Sequence, residues 1–144
     1  MARELEATVT LREGMAFSAD SGSGHEIILD TRGDGGQNQG PSPMELLLMG
    51  TAGCTAMDVI SILRKKRQDV TAYQVVIHGT RADTEPRVFT DITIEHIVTG
   101  HQVGEAAVTQ AIDLSVKKYC GAYAMMSKTA HITVTHRILE ARSE

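Results

Sequence analysis

The longest apolar stretch, Leu46 to Leu63, constrains this chain more than any other feature. It sits behind a complete helix start. Ser42 suits the N-cap, Pro43 the first helical position, and Glu45, three residues after Ser42, closes a capping box. The segment is apolar almost all the way round, and Arg64-Lys65-Lys66-Arg67 comes directly after it, so the spacing predicts a helix to about Arg67. Such a helix is buried on every side. Its length approaches that of a membrane span, but Gly50, Gly53, Asp58 and several hydroxyls argue for a core helix instead. A chain of 144 residues can hardly wrap it completely, so a second subunit is expected to share the burial.

The flanks decide the fold class. Leu5, Ala7, Val9 and Leu11 alternate with Glu6, Thr8 and Thr10, the period-2 pattern of a half-buried strand. Gly14 and the Ser21-Gly22-Ser23-Gly24 run supply turns, so residues 5–30 read as an antiparallel meander of three strands. Residues 33–40 hold four Gly and no aliphatic side chain and read as a loop; no Gly-Lys-Ser/Thr ending makes it a phosphate cradle. After the helix come strand candidates Val70 to Arg81 and Val88 to Val98, then a helix from about Val103 to Tyr119. Cys120-Gly121 breaks it, a short helical piece Ala122 to Lys128 comes next, and a strand His131 to Leu139 ends the pattern. Strands and helices are segregated, so the fold class is α+β with antiparallel sheets, in one domain over residues 1–144.

Composition removes several function classes. Hydrophobic residues at 42% and charged residues at 22% fit a soluble globular domain. A formal charge of −4 offers no basic footprint for nucleic acid, and aromatics at 3% offer no stacking surface for bases. The N-terminal MARELEATVT has no apolar run, so no secretory leader and no membrane partner are expected, and the cytoplasm is the expected location. Two cysteines are too few for a disulfide scaffold or a four-cysteine zinc site. No His-Glu-x-x-His or cysteine–histidine spacing occurs among the six His, so no metal is expected either.

The two thiols carry what chemistry remains. Cys54 lies in the apolar helix, with Gly50 and Gly53 leaving space beside it, and Asp58 one turn later on the same face would raise its pKa. A buried core cysteine is the competing reading. Cys120 comes after Lys117-Lys118-Tyr119 at a helix end, where negative partial charge disfavours a thiolate, so it suits a resolving thiol better than a first nucleophile. Tyr119 and Tyr123 are candidates to line an apolar pocket beside it.

The segment Pro43 to Val59, with its Gly-Thr-Ala-Gly-Cys-Thr-Ala-Met-Asp core, closely resembles the central-helix signature of the OsmC/Ohr family, particularly its YhfA-like branch. Lys118-Tyr119-Cys120, Ala124-Met125 and the strand from Ala130 to Val134 resemble that family's second-cysteine motif, and the resemblance covers the whole chain. It implies an intertwined homodimer with the central helices at the interface, and a thiol peroxidase that reduces organic hydroperoxides without metal or organic cofactor. By that resemblance Cys54 is the peroxidatic thiolate, Cys120 the resolving thiol, and a cellular dithiol the reductant. Arg12, in Arg12-Glu13-Gly14, stands where the family places its activating Arg, with Arg32 as the rival cation. The family's catalytic Glu lies ten residues before the cysteine, which here is Met44, while Glu45 lies nine before it. At 100° per residue, nine residues put two side chains on opposite faces of a helix. Glu45 is therefore both a candidate catalytic carboxylate and the capping-box residue. The alternative function is an OsmC-like dimer that binds a small apolar ligand without efficient turnover.

Overall fold

The computed structural model describes residues 3–142. The chain forms two compact units, one ending at Leu47 and the other beginning at Leu48.

In the first unit, β1 (Ala7–Leu11), β2 (Phe17–Ser21) and β3 (Glu26–Leu29) form the expected antiparallel meander, with Ala7 opposite Ser21 and Phe17 opposite Leu29. Alternation selects the strand in β1 but does not bury it, because all five of its residues are exposed. The glycine-rich loop after β3 is organised by one carboxylate. Asp30, 3% exposed, accepts backbone N–H bonds from Thr31 at 2.7 Å, Gln39 at 3.1 Å and Gln37 at 3.2 Å. Those donors hold its pKa below the ordinary 3.8, against the opposing effect of burial.

The capping box forms as expected. Glu45 N–H donates to Ser42 Oγ at 3.2 Å, and Ser42 N–H donates to the Glu45 carboxylate at 2.9 Å. From there α1 runs over Pro43–Lys65, two residues short of the expected end. It stops where Arg67 takes a left-handed φ of 58°.

In the second unit, β4 (Asp69–Arg81), β5 (Phe89–His101) and β6 (His131–Glu140) form a sheet in that order. β4 and β5 are antiparallel, but β5 and β6 are parallel, so the sheet is mixed rather than antiparallel. The reason is the connection. Between β5 and β6 the chain passes through α2 (Glu105–Leu114), a π-helical turn (Ser115–Tyr119) and α3 (Gly121–Met126), a crossover long enough to return it in the same direction. The core lies where α1 and α2 meet the sheet: Val59 and Leu63 from α1, Val98 from β5, and Val108, Ala111 and Ile112 from α2.

The expected burial of α1 on every side is not met within one chain. Thr51, Thr55, Val59 and Leu63 form a single buried stripe at four-residue spacing. Met57, at 74%, and Met49, at 56%, stay largely exposed on the same helix. α1 is long and apolar enough to cross a membrane, yet its Val59 and Leu63 pack into the core of the second unit.

Candidate active site: two thiols and a carboxylate

Helical spacing places Cys54 and Asp58 one turn apart on the same face of α1. Cys120 reaches them by a less regular route. Its N–H donates to the Ser115 carbonyl at 2.8 Å, a five-residue step that closes the π turn. The residue then leaves helical geometry, at φ −82° and ψ 99°, and becomes the N-cap of α3. As a result the two sulfurs and an Asp58 carboxylate oxygen all lie within 4.8 Å of one another. Both cysteines are free thiols; Cys120 is buried and Cys54 half-buried.

The structure revises the reading of Cys120. Read from sequence it closes a helix, where the carbonyl end opposes a thiolate. Here it also opens the next helix, and the Tyr123 N–H donates to its sulfur at 3.3 Å. That bond favours the thiolate, but burial outweighs it. With the neighbouring Cys54 and Asp58 adding to the effect, the Cys120 thiol is pushed up to about 11 and is protonated at neutral pH.

Asp58 is positioned by two hydroxyls that motif reading passes over. Ser115 Oγ donates to Asp58 Oδ2 at 2.9 Å. Its one proton being spent there, the 2.7 Å contact between Thr55 and Ser115 has Thr55 as donor. Ser115 is fully buried and Thr55 is 2% exposed. The signal was present as two hydroxyls interrupting aliphatic stripes, Thr55 in the row ending Val59 and Leu63, and Ser115 in the row of Val108, Ala111 and Ile112.

Beside the cluster the molecule is open. A Cβ added at Gly50 or Gly53 would meet nothing within 4 Å. A cleft of about 550 Å³ is lined by Asp58, Met57, Ile62, Lys66, Leu114 and Tyr119. The two tyrosines expected around one pocket lie on two, since Tyr123 lines a separate hollow with Val116 and His136.

The other two expected site residues belong to the first unit. Arg12 comes directly after β1 and faces Glu26 at 4.0 Å across an exposed pair. Glu45 is engaged as a cap: the Ser42 backbone and side chain hold its carboxyl below its ordinary value, burial opposes them weakly, and the charge of Arg32 adds to the lowering.

One histidine is enclosed as well as hydrogen-bonded. His96 sits in the inward row of β5 with Ile92, Ile94 and Val98 and is fully buried. Its Nδ1 lies 2.7 Å from the Tyr73 hydroxyl, while its Nε2 has no hydrogen-bond partner among the described residues. Burial, with the charge of His136 adding to it, lowers its pKa to about 4, so the ring is neutral. Burial raises the Tyr73 hydroxyl far above its ordinary range, so that hydroxyl keeps its proton and donates it to Nδ1.

The arrangement can be set beside known proteins. Residues 35–136 match the family model described as OsmC-like protein. The chain belongs to the OsmC-like family. Over 137 residues this OsmC-like chain is 43% identical to Protein YhfA of Escherichia coli strain K12, covering 95% of the chain and all of that protein. In three dimensions it resembles a hypothetical protein from Aquifex aeolicus VF5, with a TM-score of 0.87, 29% identity, and 98% and 100% of the two chains covered. It also shares its fold with an organic hydroperoxide resistance protein from Elizabethkingia anophelis, at a TM-score of 0.69, 15% identity, and 98% and 99% coverage. The OsmC-like α+β architecture is thus that of its relatives over nearly the whole chain.

Proposed function

We propose that the protein is a thiol peroxidase that reduces organic hydroperoxides to alcohols, acting in the cytoplasm as a homodimer. The observation that carries this reading is the pair of free thiols brought within 4.8 Å of each other, one from α1 and one from the end of the π turn. Their environments divide the work. Cys54, half-buried and flanked by open space at Gly50 and Gly53, is the accessible nucleophile. Cys120, buried and held protonated near neutral pH, is the partner that acts second.

In the first step the Cys54 thiolate attacks the terminal oxygen of the hydroperoxide. The O–O bond breaks, the alkoxide takes a proton and leaves as alcohol, and Cys54 becomes a sulfenic acid. In the second step Cys120 attacks that sulfur, its proton leaves with the hydroxyl as water, and a disulfide closes. Asp58, facing both sulfurs and steadied by Ser115, is placed to carry the Cys120 proton across. A cellular dithiol reopens the disulfide. The exposed apolar residues Leu47, Met49 and Met57 of α1 support a second copy as the cover of that helix. Arg12 is the proposed activating cation, and Glu45 is proposed as a structural cap rather than an acid or base.

The test is peroxide consumption by the reduced protein with a dithiol. Wild type should consume cumene hydroperoxide, and one equivalent should yield a Cys54–Cys120 disulfide by mass spectrometry. Cys54→Ser should abolish turnover; equal, slow consumption by both proteins would remove the assignment. A second reading, an OsmC-like dimer that binds a small apolar molecule without turnover, is favoured by one observation, the commitment of Glu45 to Ser42. Native mass spectrometry showing a bound apolar molecule unaffected by Cys54→Ser would support it.

A further inference from the structure

Three acidic groups crowd one small volume: two thiols and a carboxylate with all donor atoms within 4.8 Å. Two sulfurs and one carboxylate oxygen converging at that distance make a donor set that a single small cation can bridge. We propose that Cys54, Asp58 and Cys120 form a binding site for a thiophilic divalent cation of the zinc class, open in the reduced protein and abolished by the disulfide. This goes beyond the peroxidase reading and does not depend on it.

The donor set selects the ion. Two sulfurs and one oxygen suit Zn²⁺, whereas Mg²⁺ and Ca²⁺ require six or more oxygens. Tetrahedral Zn²⁺ holds sulfur at about 2.3 Å and carboxylate oxygen at about 2.0–2.2 Å, so its donors stand roughly 3.5–3.8 Å apart. The cluster needs to close by roughly 1.3 Å at most to reach that geometry, and solvent supplies the fourth position. The surroundings are those of a supported site. The buried hydroxyl pair, Thr55 to Ser115 to Asp58, fixes the carboxylate and leaves it further lone pairs for a cation. The Tyr123 N–H already points at the Cys120 sulfur, where it would stabilise a metal-bound thiolate. Both sulfurs bind as thiolates, so protons held by the thiols pass to solvent, and three negative ligands against two positive charges leave the site at −1. Occupancy ties up both thiols, so peroxide turnover stops while the cation is bound. Closing the Cys54–Cys120 disulfide removes both sulfur ligands and releases it.

The experiment uses reduced, chelator-stripped, tag-free protein titrated with Co²⁺ as a spectroscopic probe, then with Zn²⁺ against a chromophoric chelator. Expected are one ion per chain, an intense near-ultraviolet thiolate-to-cobalt band, and release of protons on binding. Asp58→Asn should weaken binding at least tenfold and Ser115→Ala severalfold, while Cys54→Ser and the disulfide form should lose the band. An absent band, or binding unchanged by the disulfide or by Asp58→Asn in a folded variant, overturns the proposal. If Asp58→Asn fails to fold, the reduced and disulfide forms of wild type decide alone. No peroxide enters the measurement, so inactivity as a peroxidase leaves the result standing, and absent binding leaves the peroxidase reading untouched.

Discussion

The two units of this chain are ordered by different physics. The first, ending at Leu47, buries little: Ala16, Ser18 and Asp30 are its buried residues among those described, and Val9, Leu11, Met15 and Ile27 all stand out to solvent. Hairpin registers, a three-donor carboxylate and a capping box hold it in shape. The second rests on a continuous aliphatic core drawn from α1, α2 and the mixed sheet. Polar order and apolar burial fail under different insults, and the difference can be measured.

The largest expected effect is in the aliphatic core. Leu63 is fully buried in the second unit, so Leu63→Ala should cost about 2–5 kcal/mol by urea unfolding. Loss of less than about 1 kcal/mol would mean that the core tolerates collapse and that the contrast is overstated.

Acid should separate the units next. His96 is held neutral in the folded state with a pKa of about 4, against 6.5 when unfolded. As pH falls below 6.5 the unfolded chain takes the proton first, so stability declines between pH 6.5 and 4, by on the order of 3 kcal/mol in full. His96→Phe should flatten that window. Asp30, whose pKa is depressed, keeps its contribution above 3.8 and loses it only as pH falls through its lower folded value. Hydrogen exchange at Gln37 and Gln39 should therefore stay slow through the window in which the second unit weakens.

Ser42→Ala removes one side of the capping box and should cost about 1 kcal/mol, with fraying confined to the start of α1. The smallest effect on folding should come from Met57→Glu. At 74% exposure the change should stay within about 0.5 kcal/mol for the isolated chain. If α1 is covered by a second copy, the same substitution should halve the mass in solution, read by light scattering.

The first unit was legible in sequence because its devices are local. A capping box spans four residues, and a meander is written in alternation and glycine turns, as Ala7 opposite Ser21 attests. Exposure was not legible, because alternation in Val9 and Leu11 states which side a residue faces and not what lies there. In the second unit the secondary structure was readable, but the parallel pairing of β6 was not, since direction depends on the path through α2 and α3. The thiols and Asp58 could be named from motif and spacing. The hydroxyls that steady Asp58 could not, because Thr55 and Ser115 meet only across the packing of α1 against the π turn.

The π turn over Ser115–Tyr119 makes the meeting of the two thiols a matter of counting. Each residue added to or taken from a helix rotates the downstream residues by about 100°. Removing one residue between Ser115 and Tyr119 would restore a regular helix and swing Cys120 away from Cys54, with no active-site side chain replaced. Sequences of this kind should therefore tolerate substitution of the exposed Lys117 and Lys118 in that turn far better than any change in its length.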